Sequence, residues 1–343
     1  MENIFDWGAI NMNEILYLVI PCYNEEEVLY ETSSRLLIKL NSMVKEGIVS
    51  HKSRILFVND GSKDKTWDII KELHQKNNIF SGINLSRNSG HQNALLAGLM
   101  IAKDYADMVI SLDADLQDDI NVMDKFVEEC RKGNDIVYGV RSSRDKDTFF
   151  KKYSALFFYK LMNKMGGEII YNHADYRLMS KRALNSLSEY KEVNLFLRGI
   201  VPLIGYDYSV VEYERNQRFA GESKYPLKKM IIFAMDGITS FSIKPIRIIS
   251  VLGFVIFILS FLALIYSLTA NFLNNTVAGW TSIVISIWMI GGIQLLSVGV
   301  IGEYIGKIYS ETKNRPRFII KDSLIDGEKS NEIVRKNEEY IFR

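Results

Sequence analysis

An apolar run that ends in two carboxylates is encoded by the sequence MVISLDAD at Met108–Asp115. Short runs rich in Val, Ile and Leu predict buried β-strands, here at Met108–Leu112. Two carboxylates one residue apart in the turn after a strand can share a hard divalent cation. Acidic pairs are also common in surface loops, so this triplet indicates a metal site only when other polar strand ends accompany it.

Further apolar runs of the same kind predict strands at Ile15–Ile20, Arg54–Asn59, Gly82–Leu85 and Ile136–Val140. Segments with helical periodicity lie between the strands, at Glu26–Val44, Lys65–Gln75, Gln92–Ala102 and Val122–Arg131. This alternation predicts an α/β fold with a mostly parallel sheet and helices on both faces. Ligands bind at the carboxyl ends of strands in such sheets, so the polar residues that follow the strands are site candidates.

Composition excludes several function classes. The net charge of the 343 residues is only +1, without the basic field that nucleic-acid binding requires, so we expect no nucleic-acid partner. Cys22 and Cys130 form no disulfide framework and have no metal-ligand spacing. Neither a Gly-x-Gly-x-x-Gly motif after the first strand nor a P-loop is present, which argues against a dinucleotide site or a P-loop nucleotide site.

Two long runs without any charged residue occupy Ile248–Leu268 and Thr276–Ile301. A helix of 21 residues reaches about 31 Å, which matches a hydrocarbon core roughly 30 Å thick. The runs therefore predict two transmembrane helices, with buried helices of a soluble protein as the alternative. The linking loop Thr269–Asn275 has no basic residue, whereas both outer flanks are basic. This asymmetry predicts a multi-pass protein of the inner (cytoplasmic) membrane with both termini in the cytoplasm.

These features divide the chain into five predicted segments. They are an N-terminal tail at 1–13, a cytoplasmic catalytic domain at 14–225, a juxtamembrane amphipathic helix at 226–245, a two-helix transmembrane anchor at 246–306 and a cytoplasmic tail at 307–343. Basic and apolar residues interleave at Phe149–Met165 and at Pro226–Ser240. Such helices can lie in the membrane interface, and ordinary packed helices are the alternative.

Several polar motifs occur in a fixed order along the chain. They are Pro21–Glu26 (PCYNEE), Asn59–Ser62 (NDGS), Ser86–Asn88 (SRN), Asp113–Asp118 (DADLQD), Ala174–Leu178 (ADYRL), Arg198-Gly199 and Gly221–Tyr225 (GESKY). This set resembles the family 2 inverting glycosyltransferases of the polyprenyl-phosphate type, which include dolichyl-phosphate mannose synthases and bactoprenol glucosyltransferases. The resemblance implies a GT-A-like fold, a UDP-sugar donor, Mg²⁺ or Mn²⁺, a polyprenyl (undecaprenyl) phosphate acceptor and a lipid bilayer.

The resemblance also implies roles for individual donor-site residues. The nucleotide sugar would contact Pro21, Tyr23, Glu25, Asp60, Asp113 and Gln117. The metal would be held by Asp115, with Asp113 and Gln117 beside it. Structural alternatives remain open: Asp60 could cap the following helix, and Glu25 could be a first-turn helix charge. Asp119 stands where family members often have proline, and it could cap the helix that begins near Asn121.

Asp175 matches the position assigned as the catalytic base in the family, and the acceptor phosphate would be bound by Arg141, Arg144, Arg215, Arg218 and Lys224. A phosphate monoester is largely dianionic at neutral pH, so Asp175 could instead orient the acceptor or stabilise positive charge on the sugar. A structural salt bridge between Asp175 and Arg177 is a third reading. His91 and His173 lack metal-ligand spacing and are assigned to polar loops or caps.

Two other functions are compatible with these motifs. A processive polysaccharide synthase of the same superfamily usually has a Gln-x-x-Arg-Trp motif and more membrane spans, but no tryptophan occurs here between Trp67 and Trp280. A catalytically inert membrane protein that binds nucleotide sugars would not need Asp60, Asp113, Asp115 and Asp175 all intact. The sequence leaves the transferred sugar and homo-oligomerisation open.

Overall fold

A computed structural model of the chain describes residues 14–142, 173–193, 195–215, 246–249, 251–256, 258–259, 262, 265 and 280–325. Several predicted features lie outside these residues: the N-terminal tail, the amphipathic helices, the loop between the two spans, and the acceptor candidates Arg144, Arg218 and Lys224. The chain divides into two compact units. The first takes Met1–Tyr159, Glu168–Pro226 and Arg315–Arg343, and the second takes Lys160–Gly167 and Leu227–Asn314.

The first unit contains all the strands that the structure describes. They are β1 (Leu16–Cys22), β2 (Arg54–Asn59), β3 (Phe80–Leu85), β4 (Met108–Ser111), β5 (Ile136–Arg141), β6 (His173–Ser180), β7 (Tyr208–Tyr213) and β8 (Ile320–Leu324). Its helices are α1 (Leu29–Lys45), α2 (Thr66–Lys76), α3 (His91–Ala102), α4 (Met123–Arg131), α5 (Lys181–Ser188) and α6 (Leu197–Leu203). The α/β prediction is confirmed, and each of the first five strands lies within two residues of its predicted bounds.

The strands form one mixed sheet in the order β7-β5-β6-β4-β1-β2-β3-β8. Pairing is parallel between β4, β1, β2 and β3 and between β5 and β7. It is antiparallel where β6 meets β4 and β5, and where β8 meets β3. The sheet is therefore parallel at its centre and less parallel overall than predicted, because β6 and β8 run against their neighbours.

Helices cover both faces of the central strands, as predicted. Every residue of β1 is buried, which requires apolar layers on both sides. Leu18 and Ile20 share one core with side chains of α1, α2 and α4. The opposite face carries α3, where a Cβ on Gly98 would lie only 2.4 Å from the Val19 side chain and 2.8 Å from that of Val58. Glycine at 98 thus lets α3 pack directly on the sheet.

Three strands were not predicted from the sequence. In β6, buried Asp175 and Arg177 interrupt the apolar run that identifies a strand. Strand β7 begins with the exposed Tyr208, and β8 (IKDSL) is a short, partly exposed edge strand. The structure places β8, part of the segment predicted as a C-terminal tail, in the sheet beside β3. Tertiary pairing, rather than local pattern, determines these strands.

In the second unit, helix α7 spans Trp280–Thr312. Within the described residues, one stretch, Met289–Thr312, is long and apolar enough to cross a membrane. Side chains along it, including Leu295 and Val298, are exposed within the chain. The helix contains most of the second predicted span and continues beyond its predicted end at Ile301. The first predicted span is described only in part, with helical residues at 246–249 and 251–256.

Candidate active site

The loop after β4 holds its two carboxylates in a defined turn. The backbone amide of Gln117 donates to Oδ1 of Asp115 at 3.1 Å. Thr32 Oγ1, from α1, donates to the carbonyl oxygen of Ala114 at 2.7 Å. These two bonds fix the backbone on both sides of Asp115 and keep the Asp113 and Asp115 side chains at the carboxyl end of β4.

Asp175 lies in β6, the antiparallel neighbour of β4. The hydroxyl of Ser111, at the end of β4, donates to the Asp175 carbonyl oxygen at 2.6 Å. The Asp175 carboxylate accepts from Arg177 Nη2 at 2.8 Å and from Arg198 Nη2 at 2.9 Å. Asp175 is 6% exposed and Arg177 is fully buried. The salt bridge to Arg177 considered from the sequence is therefore present, and Arg198 on α6 adds a second one.

Positive groups keep Asp175 ionised. Burial alone would raise the pKa of this carboxyl, but Arg198, His91 and Arg177 together hold its pKa well below the usual range. A carboxylate with such low proton affinity is a weak general base at neutral pH.

His91, the first residue of α3, lies between two carboxylates. Its Nε2 is 3.6 Å from Asp113 Oδ1 and 3.6 Å from Asp175 Oδ2. Burial lowers the pKa of His91, but the interaction of its ring N–H with the Asp175 carboxylate and the charges of Asp113 and Asp175 raise it to about 9. From the sequence, His91 was assigned to a polar loop or cap, and its place between these two carboxylates was not predicted. It could have been found from topology, because the loop after β3 ends at the same sheet edge as the loop after β4.

The β4 loop carries an excess of negative charge. The pKa of Asp113 is raised, first because protein atoms exclude water from the carboxyl group. His91 opposes that rise, whereas the carboxylates of Asp175 and Asp115 add to it. A cation next to Asp113 and Asp115 would relieve this repulsion.

Arg141, an acceptor candidate, has charge partners inside the protein. Its Nη2 lies 3.7 Å from Asp118 Oδ1, and its Nε donates to the Tyr213 hydroxyl at 3.4 Å. That hydroxyl in turn donates to Asp118 Oδ1. Burial, and then the charge of Asp113, raise the pKa of Asp118 to about 6, although Tyr213 and Arg141 lower it. Arg141 is therefore engaged by Tyr213 and by Asp118 of the β4 loop, in a largely buried network.

Arg215, the other acceptor candidate within the described residues, donates through Nη2 to Oε1 of Gln117. Gln117 was predicted beside the metal. The structure thus brings one acceptor candidate next to one metal-site candidate, at the end of the loop that carries Asp115.

Asp60 braces the loop that precedes α3. Its Oδ1 accepts from the backbone amide of Ser89 at 2.7 Å, and its Oδ2 accepts from that of Gly90 at 3.0 Å. Burial is the main reason that the pKa of Asp60 is raised, and these two amides oppose the rise. The capping alternative was thus wrong: Asp60 does not cap α2, and it instead binds the loop that leads from β3 into α3.

Gly61 permits close contact between the loops after β2 and β3. Its φ angle is 62°, in the left-handed region that favours glycine. A Cβ at this position would lie 2.5 Å from the carbonyl carbon of Arg87 and 2.6 Å from the amide nitrogen of Asn88. Any side chain at 61 would push these loops apart.

The first loop carries the remaining nucleoside candidates. Pro21 is buried in β1, and Tyr23 is partly exposed at the strand end. The backbone amide of Glu25 donates to Thr66 Oγ1 at 2.9 Å, which joins this loop to the start of α2. Helix α1 begins only at Leu29, so the alternative of Glu25 as a first-turn charge was wrong.

Among the described residues, no group of three or more His, Cys, Asp or Glu side chains is placed to hold a metal ion. Asp113 and Asp115 do offer oxygen ligands, the type that Mg²⁺ and Mn²⁺ prefer, whereas the Gln117 oxygen already accepts from Arg215 and would join them only if that bond were released. Mg²⁺ is commonly bound by one or two carboxylates together with substrate phosphates and water. The raised pKa of Asp113 is consistent with a position that gains from a nearby cation. These residues therefore fit a metal that binds together with a diphosphate.

The glycosyl transferase family 2 model matches residues 17–188, which extend from within β1 to the end of α5 and include the ends of β1, β2, β3 and β4 just described. The chain belongs to glycosyl transferase family 2. The family 2 chain is 54% identical over 316 residues to an uncharacterized glycosyltransferase, YkoT, of Bacillus subtilis (strain 168), covering 92% of this chain and 94% of the relative. It is 39% identical over 309 residues to the bactoprenol glucosyl transferase of Shigella phage SfX, covering 89% and 98%.

Among solved structures, the glycosyltransferase is similar to glucosyl-3-phosphoglycerate synthase from Mycobacterium tuberculosis in complex with Mn²⁺, UDP and phosphoglyceric acid. The TM-score is 0.44 at 16% sequence identity, and the match covers 66% of this chain and 76% of the synthase.

Proposed function

We propose that this glycosyltransferase transfers a sugar from a UDP-sugar to polyprenyl (undecaprenyl) phosphate, with inversion at the anomeric carbon. The observation that carries the proposal is the 39–40% identity to bactoprenol glucosyl transferases of Shigella phages SfX and SfII, over 89% of this chain. Bactoprenol is a polyprenol, so these names point to a lipid-linked sugar as the product. UDP-glucose is accordingly the first donor to test.

The donor is assigned to the loops after β1, β2 and β4. In this assignment, Tyr23 provides a packing surface for the base. Asp60 holds the loop after β3 next to the nucleoside, through the amides of Ser89 and Gly90. A divalent ion at Asp113, Asp115 and Gln117 would neutralise the diphosphate and favour its departure. The carboxylates of the β4 loop then bind and orient the donor, and their mutual repulsion is reduced.

The acceptor needs little help from a base. In an inverting displacement, a phosphate oxygen bonds to the anomeric carbon while the bond from that carbon to UDP breaks. The second pKa of a phosphate monoester is near 6, so the attacking oxygen carries no proton at neutral pH. Because Arg177 and Arg198 already neutralise Asp175, we assign this residue an electrostatic and orienting role and not that of a base.

Arginine and lysine side chains are proposed to bind the acceptor phosphate. Arg215 is supported by its bond to Gln117, which places it beside the donor loop. Arg141 is supported less, because Asp118 and Tyr213 already engage it. Arg144, Arg218 and Lys224 retain the assignment made from the sequence.

Membrane anchoring agrees with a lipid acceptor. The apolar stretch Met289–Thr312 is about 36 Å long as a helix, enough to cross a bilayer. We propose that it forms one half of a two-helix anchor in the cytoplasmic membrane. The basic outer flanks of the two spans favour a catalytic domain and both termini on the cytoplasmic side.

The test uses purified full-length protein in detergent with Mn²⁺ and radiolabelled UDP-glucose. Undecaprenyl phosphate should give a labelled lipid, and undecaprenol should not, because the bare alcohol lacks the anionic nucleophile. A panel of other UDP-sugars identifies the donor if glucose fails. Equal labelling of both lipids would overturn the assignment of a phosphate acceptor. If none of the UDP-sugars gives a labelled lipid, the proposed function is rejected.

A further inference from the structure

A line of hydrogen bonds crosses three neighbouring strands. The backbone amide of Ser62 donates to Asn59 Oδ1 at 3.3 Å, Asn59 Nδ2 donates to Asn84 Oδ1 at 2.7 Å, and Asn84 Nδ2 donates to Asp322 Oδ2 at 3.0 Å. Asn59, in β2, and Asn84, in β3, are both buried. The line thus begins in the loop that carries Asp60 and ends on β8.

The two ends of this line fix its direction. A backbone N–H such as that of Ser62 can only donate, and the carboxylate of Asp322 can only accept. Asn84 must therefore turn its NH₂ group toward Asp322 and its oxygen toward Asn59. That arrangement leaves the Asn59 oxygen free to receive the Ser62 amide. Without an acceptor at the far end, both side-chain amides could turn over together, and Asn59 would then present its NH₂ group to the Ser62 amide.

Strand β8 holds Asp322 in place. Asn84 is directly opposite Asp322 in the antiparallel pairing of β3 and β8, and Gly82 is opposite Leu324. Just beyond the pairing, the Ser86 backbone amide donates to the carbonyl oxygen of Ile319 at 2.9 Å. The carboxylate is therefore set by backbone bonds on the strand next to the donor loops.

The effect reaches the first loop as well. Ser62 Oγ accepts the backbone amide of Asn24 at 3.0 Å, and Asn24 Oδ1 accepts the backbone amide of Lys63 at 2.9 Å. Asn24 has a φ angle of 53° and follows Tyr23 directly, so these two bonds hold the turn next to Tyr23. A displacement of Ser62 would move both loops assigned to the nucleoside.

We propose that Asp322 is a positioning residue for donor binding, which acts through Asn84 and Asn59 on the loops after β2 and β1. The inference rests on the proposed donor site. It gives a segment beyond the apolar helix α7 a part in holding the nucleotide, although Asp322 itself does not touch the donor.

The first experiment measures UDP affinity by calorimetry in Mn²⁺, using full-length protein in detergent. Asp322→Ala should raise the Kd for UDP about three- to tenfold, the effect of roughly one hydrogen bond. The rate at saturating UDP-glucose should stay within about twofold of the parent, because the reacting groups are unchanged. Lys321→Ala is the matched control, an exposed neighbour on β8, and should bind UDP as the parent does. An unchanged Kd in Asp322→Ala, or a loss in rate alone, would overturn the inference.

The second experiment tests the direction of the line. Asn84→Asp places two carboxylates against each other and should weaken UDP binding. Adding Asp322→Asn to that variant restores a donor facing an acceptor, with an oxygen still turned toward Asn59. The exchanged pair should therefore recover a Kd within about twofold of the parent. A pair that binds no better than Asn84→Asp alone contradicts the proposal. If the parent itself does not bind UDP, the donor assignment fails first, and the inference falls with it.

Discussion

Two carboxylate groups at the same edge of the sheet have opposite electrostatic surroundings. Asp175, near the beginning of β6, is enclosed by Arg177 and Arg198, and its pKa lies well below the usual range. Asp113, on the neighbouring β4 loop, has a raised pKa and lies close to Asp115. Protein cations thus neutralise the Asp175 carboxylate, whereas the Asp113 carboxylate lies in a loop with excess negative charge. This difference separates a carboxylate that organises the protein from carboxylates suited to a bound cation.

The largest expected effect comes from removing the Asp175 charge. Asp175→Asn keeps the size of the side chain but leaves Arg177, which is fully buried, without its anionic partner. We expect the rate at saturating substrates to fall by about 10²–10³-fold, the scale of a lost preorganised electrostatic contact. The Kd for UDP in Mn²⁺ should change by less than about threefold, because the β4 loop is untouched. Single-turnover rates and calorimetry measure the two quantities separately.

A matched Asp→Asn control is available on the surface. Asp68, on α2, pairs with Lys71 and is 71% exposed, so Asp68→Asn should alter neither the rate nor the UDP affinity. If Asp175→Asn instead abolishes UDP binding and Asp115→Asn does not, the two strand ends have been assigned the wrong way round.

The second largest effect should be on metal-dependent UDP binding, when Asp115 of the β4 loop is changed. Asp115→Asn removes one formal charge from the proposed ligands of a hard cation. UDP affinity in Mn²⁺ should weaken about ten- to a hundredfold, and the affinity without metal should hardly change. Titrating UDP with and without Mn²⁺, for the variant and the parent, shows this. Equal loss in both conditions would mean that Asp115 supports the loop and does not serve the metal.

A third, smaller effect should appear in the pH profile of Arg198→Ala. Arg198 lowers the pKa of Asp175, so removing its charge should raise that pKa, with Arg177 and His91 left to lower it and the Asp113 carboxylate close by. The ionised form would then be lost at a higher pH during acidification. We expect the acidic limb of the rate profile to move to higher pH and the rate near neutrality to fall about tenfold, the scale of a weakened charge-assisted bond. Arg198→Lys, which retains the charge, should shift the limb less, and an unmoved limb in Arg198→Ala would contradict the role given to Arg198.

The central strands and the polar ends of β1, β2 and β4 could be predicted because their information is local. A continuous apolar run identifies a buried strand, and topology then brings Asp60 and Asp113 to one edge. The surroundings of those side chains could not be predicted in the same way. Arg198 reaches Asp175 from α6, 23 residues away in sequence, and His91 reaches it from α3.

Strand β8 also depends on contacts that are distant in sequence and could not be predicted from local pattern. Its sequence, IKDSL, has no run that distinguishes it from a polar tail, and only pairing with β3 makes it a strand. The bond between Asn84 and Asp322 joins residues 238 positions apart. A contact at that separation leaves no periodic signal in the sequence, so the segment was assigned to the C-terminal tail.

The smallest effect should come from the last acidic residue of the β4 loop, Asp119. The sequence left open whether this carboxylate adds to the metal site or caps a helix. In the structure, Asp119 Oδ1 accepts from the backbone amide of Asn121 at 3.0 Å and from its side-chain Nδ2 at 2.9 Å. The carboxylate is therefore engaged as the N-cap of the 3₁₀ turn that leads into α4.

Losing a cap costs about 0.5–2 kcal/mol of stability, so Asp119→Ala should lower the Tm by a few degrees. Asp119→Asn retains an oxygen that can accept the same bonds, so it should keep most of the Tm. In both variants, Mn²⁺-dependent UDP affinity should stay within about twofold of the parent. A loss of that affinity in Asp119→Asn as large as the loss in Asp115→Asn would place Asp119 among the metal ligands and extend the excess negative charge of the β4 loop to the start of α4.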